Sequence, residues 1–218
     1  MTRLTSLFRA VAAAALLACA GTSQATVVVY TSEADFLAAL SGTVGTDTFD
    51  DLVPGTAYGG PLARSAGSLD YSVGAGPSSA TIYGAGSSGD AWLSTNFATD
   101  AVTFNGFAAG TYAAGANVFG SDIGGNSIRL TSITVTATDA SGTTTETLKR
   151  TNTGTFIGFI SDSSLDSFSV AAVQGRFRTI WPTVNNFVIA AVPEPETYAM
   201  LLSGLAVLGF VAARRRVR

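Results

Sequence analysis

The stretch Ile133-Thr134-Val135-Thr136-Ala137-Thr138-Asp139-Ala140-Ser141-Gly142-Thr143-Thr144-Thr145-Glu146-Thr147-Leu148-Lys149-Arg150 decides the fold. Ile133, Val135 and Ala137 alternate with threonines, the period of two that gives a strand one buried face. Asp139-Ala140-Ser141-Gly142 reads as a turn, and residues 143–150 return as the second strand of a hairpin. Residues 155–161 carry Phe156, Ile157, Phe159 and Ile160, apolar on both faces, so that strand belongs inside a sheet. Phe168, Val170 and Ala172 alternate again, and residues 181–190 form the last strand. Upstream, strands are expected at residues 26–30, 69–73, 80–83, 101–104 and 116–119. The one helix expected before the C-terminal region starts at Ser32 as N-cap, with Asp35 three residues on and Phe36, Leu37 and Leu40 on one face. About ten short strands separated by glycine-rich turns imply an all-β fold, a jelly-roll-like β-sandwich with one short N-terminal helix. A domain of roughly 165 residues buries enough surface for a core without disulfides.

Composition excludes several chemistries. The 218 residues include no histidine and one cysteine. There is no Ser-His or Cys-His catalytic pair, no imidazole metal ligand and no cysteine zinc site. Residues 26–192 hold 13 acidic and six basic side chains, while both flanks are net positive. An acidic domain repels phosphate backbones, so no nucleic-acid partner is expected. No G-x-S-x-G elbow, phosphate loop or EF-hand loop is present.

Residues 1–25 read as a signal peptide. Arg3 and Arg9 precede an uncharged apolar run at residues 10–20, and Ser23-Gln24-Ala25 places cleavage after Ala25. Two alternatives remain open: an anchored helix, for which the run is short, and a lipobox, Leu16-Leu17-Ala18-Cys19, with Cys19 lipidated.

The other end is tripartite. Residues 191–196 are a proline-rich linker, residues 197–213 an uncharged stretch read as a transmembrane helix of about 25 Å, slightly short of a bilayer core, and residues 214–218 a basic cytoplasmic stop made by Arg214, Arg215, Arg216 and Arg218. A permanent single-pass anchor has the same pattern. Pro193-Glu194-Pro195, the apolar stretch with Gly204 and Gly209, and the terminal arginines together resemble the PEP-CTERM sorting domain. The resemblance implies an exported protein with an inner-membrane precursor. It further implies an exosortase that cleaves near Pro193-Glu194-Pro195 and leaves a mature form at the cell surface or outside, in hosts that make exopolysaccharide.

Residues 26–190, the ectodomain, resemble exported carbohydrate-binding and discoidin-type jelly rolls in Thr48-Phe49-Asp50-Asp51-Leu52, in residues 155–162 and in Thr183-Val184-Asn185-Asn186-Phe187-Val188. That resemblance implies a structural calcium, here from Asp50 or Asp51 with Asn186, whose amide supplies no charge. Trp92, Tyr58 and Trp181 adjoin glycine or proline; Trp92 and Tyr58 are the candidate ligand-binding aromatics, and Trp181 reads chiefly as core. Thr134, Thr136 and Thr138, with Thr143, Thr144, Thr145 and Thr147 opposite, make either a solvated strand face or a hydroxyl ladder of the kind ice-binding proteins use. No acid/base constellation is recognisable. The expected role is a non-enzymatic exported surface or extracellular-matrix protein; the alternatives are a carbohydrate-binding module for exopolysaccharide and an unrecognised hydrolase.

Overall fold

The computed structural model describes residues 26–176 and 178–192. The expected signal peptide, the Pro193-Glu194-Pro195 motif, the transmembrane helix and the arginine stop lie outside the described residues.

The described chain runs β1 (Val27–Tyr30), α1 (Glu33–Ala39), β2 (Thr43–Asp47), β3 (Ala57–Tyr58), β4 (Leu62–Ala66), β5 (Leu69–Gly76), β6 (Ile82–Ser87), β7 (Asp90–Thr95), β8 (Ala101–Asn105), β9 (Thr111–Ser121), β10 (Ser127–Ile128), β11 (Thr131–Asp139), β12 (Gly142–Thr151), β13 (Phe156–Ser161), β14 (Leu165–Ala172) and β15 (Trp181–Ala191). Two antiparallel sheets pack as a sandwich. The larger has the order β1-β13-β9-β15-β7-β6-β3, with β10 on β9 and β2 on β15; the smaller is β12-β11-β14-β8-β5-β4. Strands β13, β14 and β15 alternate between the sheets, so the end of the chain stitches the two layers together.

The hairpin read from the sequence is β11–β12, in register from Thr138 opposite Thr143 to Ser132 opposite Lys149. Its inner residues Ile133, Val135 and Ala137 are fully buried. The interior is aromatic: Phe104 stacks on Phe187 at 4.0 Å and 19°, with Phe168 against both and Phe159 against Phe168.

β13 is apolar on both faces because both are covered. Ile157 and Phe159 enter the main core, while Phe156 joins Phe36 of α1 in a second, smaller cluster. α1 starts as expected, with Ser32 Oγ accepting from Asp35 N. Its expected apolar face is only partly used: Phe36 is buried, whereas Leu37 is 43% exposed. Leu40, the C-cap, packs half-buried against the same small cluster as Phe36.

The strands number fifteen among the described residues rather than about ten. The additions are β2, β3, β4, β7 and β10. β15 also contains a bulge between Asn185 and Val188. Asn186 adopts φ +48°, a left-handed conformation that asparagine tolerates better than most residues. The bulge resets the alternation: Val184 faces the core before it, and Phe187, Ile189 and Ala191 face the core after it.

Candidate functional site

Before its bulge, β15 turns Trp181, Thr183 and Asn185 away from the main core, while β6 and β7 turn Tyr83, Trp92 and Ser94 the same way. The loop after β9 folds over this face. Gly125 O accepts from Gly86 N, and Asp122 closes the loop by accepting from Asn126 N at 2.9 Å. That bond, acting against a small burial cost, holds the Asp122 carboxyl below its ordinary pKa.

Between loop and sheet is an open cleft of about 410 Å³, bordered by Tyr83, Asn96, Asp122, Ile123 and Trp181 over Ser94 and Ser121. The floor hydroxyls are fixed: Ser94 donates to Pro182 O at 2.9 Å, and Thr183 to Ser121 Oγ at 2.7 Å. Trp181 is half-buried and donates Nε1 to Asn96 O at 3.2 Å, which sets the ring. Tyr83 is half-buried too. Two aromatic side chains beside fixed hydroxyls suit a polyol that stacks an apolar face and exchanges hydrogen bonds at its edge.

The expected aromatics lie elsewhere. Trp92 is on the same sheet face but packs edge-on against Phe119, at 4.9 Å and 88°, and donates to Asp90 Oδ1. Tyr58 packs against the main core and accepts from Val53 N at 2.8 Å. Neither lines the cleft. Trp181, read chiefly as core, does line it, and Tyr83 was missed. The alternation could have found both, since Tyr83 follows inward Ile82 and Trp181 precedes inward Pro182; what it could not give is that β6 and β15 share one face.

The residues expected to hold calcium do not form a cage. Asp51 is engaged by Arg64, whose Nη1 and Nη2 donate at 2.8 and 2.7 Å. The same guanidinium donates to Asp47 from Nε at 2.8 Å and Nη2 at 2.7 Å. The guanidinium therefore joins Asp51 to Asp47 rather than to Asp50 or Asn186. Arg64 is held above even its usual high pKa: burial opposes its charge, and the bonds to Asp51 and Asp47 outweigh that. Asp50 is an exposed turn residue, and Asn186 donates Nδ2 to Asn117 Oδ1 at 3.1 Å. Among the described residues no group of three or more acidic, histidine or cysteine side chains is placed to hold a metal ion.

Three threonine pairs face each other across the hairpin, and Thr144, opposite Ala137, is not among them. Thr134–Thr147, Thr136–Thr145 and Thr138–Thr143 are bonded across the strands at 3.1, 3.1 and 3.2 Å on an exposed face. Each hydroxyl has its neighbour as a partner.

Residues 191–216 match the family described as the PEP-CTERM protein-sorting motif. No curated protein and no solved structure matches the chain. The chain thus carries a PEP-CTERM sorting motif, and with it the properties of that motif: export, a membrane-associated precursor and processing by an exosortase. Among the described residues no helix is long and apolar enough to cross a membrane.

Proposed function

We propose that this chain is a non-enzymatic surface or extracellular-matrix protein, a β-sandwich displayed outside the cell by its sorting tail. The observation that carries the reading is continuity. Ala191 is both the last residue of β15, an interior strand of the larger sheet, and the first residue of the sorting motif. On this reading the sorting motif follows the last strand of the sandwich directly. The deployment of carboxylates supports a role without catalysis. Asp47 and Asp51 serve Arg64, Asp100 accepts from Ser78 N and Ser79 N, and Asp139 accepts from Ser141 and Ser161. The cleft is lined by one carboxylate, Asp122, whereas glycoside hydrolysis needs two across the sugar. Protease shaving of intact cells tests the reading: the sandwich should be released from the surface or recovered from the matrix, and a protein confined to the periplasm would refute it.

A second reading is favoured by the cleft itself, that of a carbohydrate-binding module for neutral segments of exopolysaccharide. On a glycan array the exported protein should bind saturably, and Trp181→Ala or Tyr83→Ala should weaken binding about tenfold, the usual effect of losing an aromatic anchor. Silence across matrix glycans would leave the purely structural role.

A further inference from the structure

Among the basic side chains of residues 26–192, Arg64 is consumed by Asp47 and Asp51. Arg129, Lys149, Arg150 and Arg178 are all exposed, and none makes an ion pair or side-chain hydrogen bond among the described residues. The fold gathers them at one end. Arg129 and Arg150 line one depression of about 370 Å³, together with Ser127, Thr151, Asn152 and Thr153. Arg129 and Arg178 line an adjoining one of about 410 Å³, with Ser127 and Thr179. Lys149 pairs with Ser132 next to the first. The second depression shares Asp122 with the aromatic cleft, so three concavities follow one another around this end.

Their position relative to the tail gives the end a direction. Trp181, three residues after Arg178, pairs with Ser121; Ala191 pairs with Thr111 at the far end of the same two strands. Ten residue steps separate the two pairs, about 33 Å of strand. Val27, opposite Ser161, also starts at the Thr111 end, because Ile160 pairs with Ala113. Both ends of the sandwich thus leave at one pole, the sorting motif begins there, and the arginines occupy the other.

We propose that the arginine pole is a binding track for an acidic polysaccharide, a carboxylated or sulfated chain that the sandwich meets on the side away from its sorting tail. Guanidinium forks pair with carboxylate or sulfate through two parallel bonds. Arginines spread over two adjoining depressions match charges repeated along a chain better than a single small anion. Exposed Ser127, Asn152, Thr153 and Thr179 supply neutral hydrogen-bonding groups between the charges, as sugar hydroxyls require. A wide duplex would meet the remaining acidic surface, since residues 26–192 carry seven more acidic than basic groups. The orientation rests on the surface-protein reading above; the binding does not.

The test uses the exported protein, with polygalacturonate as the probe and neutral dextran and duplex DNA as comparisons, at two salt concentrations. Polygalacturonate should bind more tightly than either comparison and weaken with salt. The triple variant Arg129→Glu, Arg150→Glu, Arg178→Glu should lose about tenfold or more in affinity, and Asp166→Asn at the opposite pole should change it less than about twofold. If the triple variant does not fold, the single Arg129→Gln, a neutral change at an exposed side chain, should still cost about threefold. No binding of polygalacturonate, binding unaffected by these changes, or tighter binding of DNA would each overturn the proposal. Dextran bound as well as polygalacturonate, and lost with Trp181→Ala, would assign the interaction to the neutral cleft and overturn the charged track.

Discussion

Asp47, 6% exposed, accepts four hydrogen bonds. It accepts from Phe49 N at 3.0 Å, from Tyr71 Oη at 2.6 Å and twice from Arg64. Burial, reinforced by the bond to Asp47, pushes the Tyr71 hydroxyl well above its ordinary pKa, so it remains a donor throughout. Phe49 is buried at φ +62°, a strained conformation for a bulky residue, and is held by that N–H bond and by the Arg64 guanidinium 5.3 Å from its ring centroid. Arg64→Ala leaves a buried carboxylate unpaired and should cost about 3–5 kcal/mol in urea unfolding. Arg64→Lys should recover little of this, since one ammonium cannot fork onto two carboxylates. With Asp51 committed to Arg64, calcium and chelators should leave the melting temperature unchanged, and a rise with added calcium would restore the expected site. A second buried carboxylate gives the pH dependence. Asp139 is 4% exposed; burial alone would raise its pKa, but bonds from Ser141, Ser161 and Gly142 outweigh that and hold it below the ordinary value of 3.8. A depressed folded value means that the unfolded chain protonates first as the pH falls. The stabilisation is complete above pH 3.8 and is lost as the pH drops through the folded value. Asp139→Asn should cost about 1.5–3 kcal/mol at neutral pH and flatten this acid limb, read as urea midpoint against pH.

At the level of elements, α1 and β13 depend on one absent side chain. A Cβ on Gly158 would lie 2.5 Å from the Phe36 ring. Gly158→Ala should destabilise by about 1–3 kcal/mol through overpacking. Adding Phe36→Ala should relieve much of that cost, so the double mutant should be more stable than the sum of the single effects predicts. Independent, additive effects would show that α1 does not sit on β13 in this way. The sequence revealed the helix cap and the two apolar faces of β13, since both are local signals. It did not reveal why the second face is apolar, because that answer lies in Phe36, more than a hundred residues away. The missed strands have the same cause. β2 (Thr-Val-Gly-Thr-Asp) and β4 (Leu-Ala-Arg-Ser-Ala) lack the β-branched alternation of β11. Tertiary fit makes them strands: a Cβ on Gly45 would collide with Ala66 O, so only glycine lets β2 approach β4 so closely. The cleft was illegible for a related reason. Tyr83 and Trp181 lie on β6 and β15, which reach one face only through the sheet order β15-β7-β6.

For the whole molecule, the two poles do different work. One receives Thr26 and releases Val192 into the sorting motif; the other carries the exposed arginines. Val192 N still donates to Gly110 O at 3.0 Å, so the fold holds the chain up to the residue before Pro193. Proline lacks a backbone donor, so a sequence with proline at 193 and 195 offers no N–H at either position to extend that ladder. A protease that cuts beyond Val192 need not unfold the sandwich. Processing near Pro193-Glu194-Pro195 should therefore yield a mature protein whose sandwich is intact and whose residues beyond about Pro195 are gone. Replacing Pro193-Glu194-Pro195 by three alanines should leave export unchanged but retain the precursor in the inner membrane. Intact mass of the protein from the cell surface and from the membrane fraction, wild type against variant, measures both. Thermal melting should be the same for the two, because the changed residues follow the last strand. A wild-type protein that keeps Arg218 at steady state would show a permanent anchor. The arginine pole would still face outward, but the sandwich would then act tethered to the cell and could not be released into the matrix.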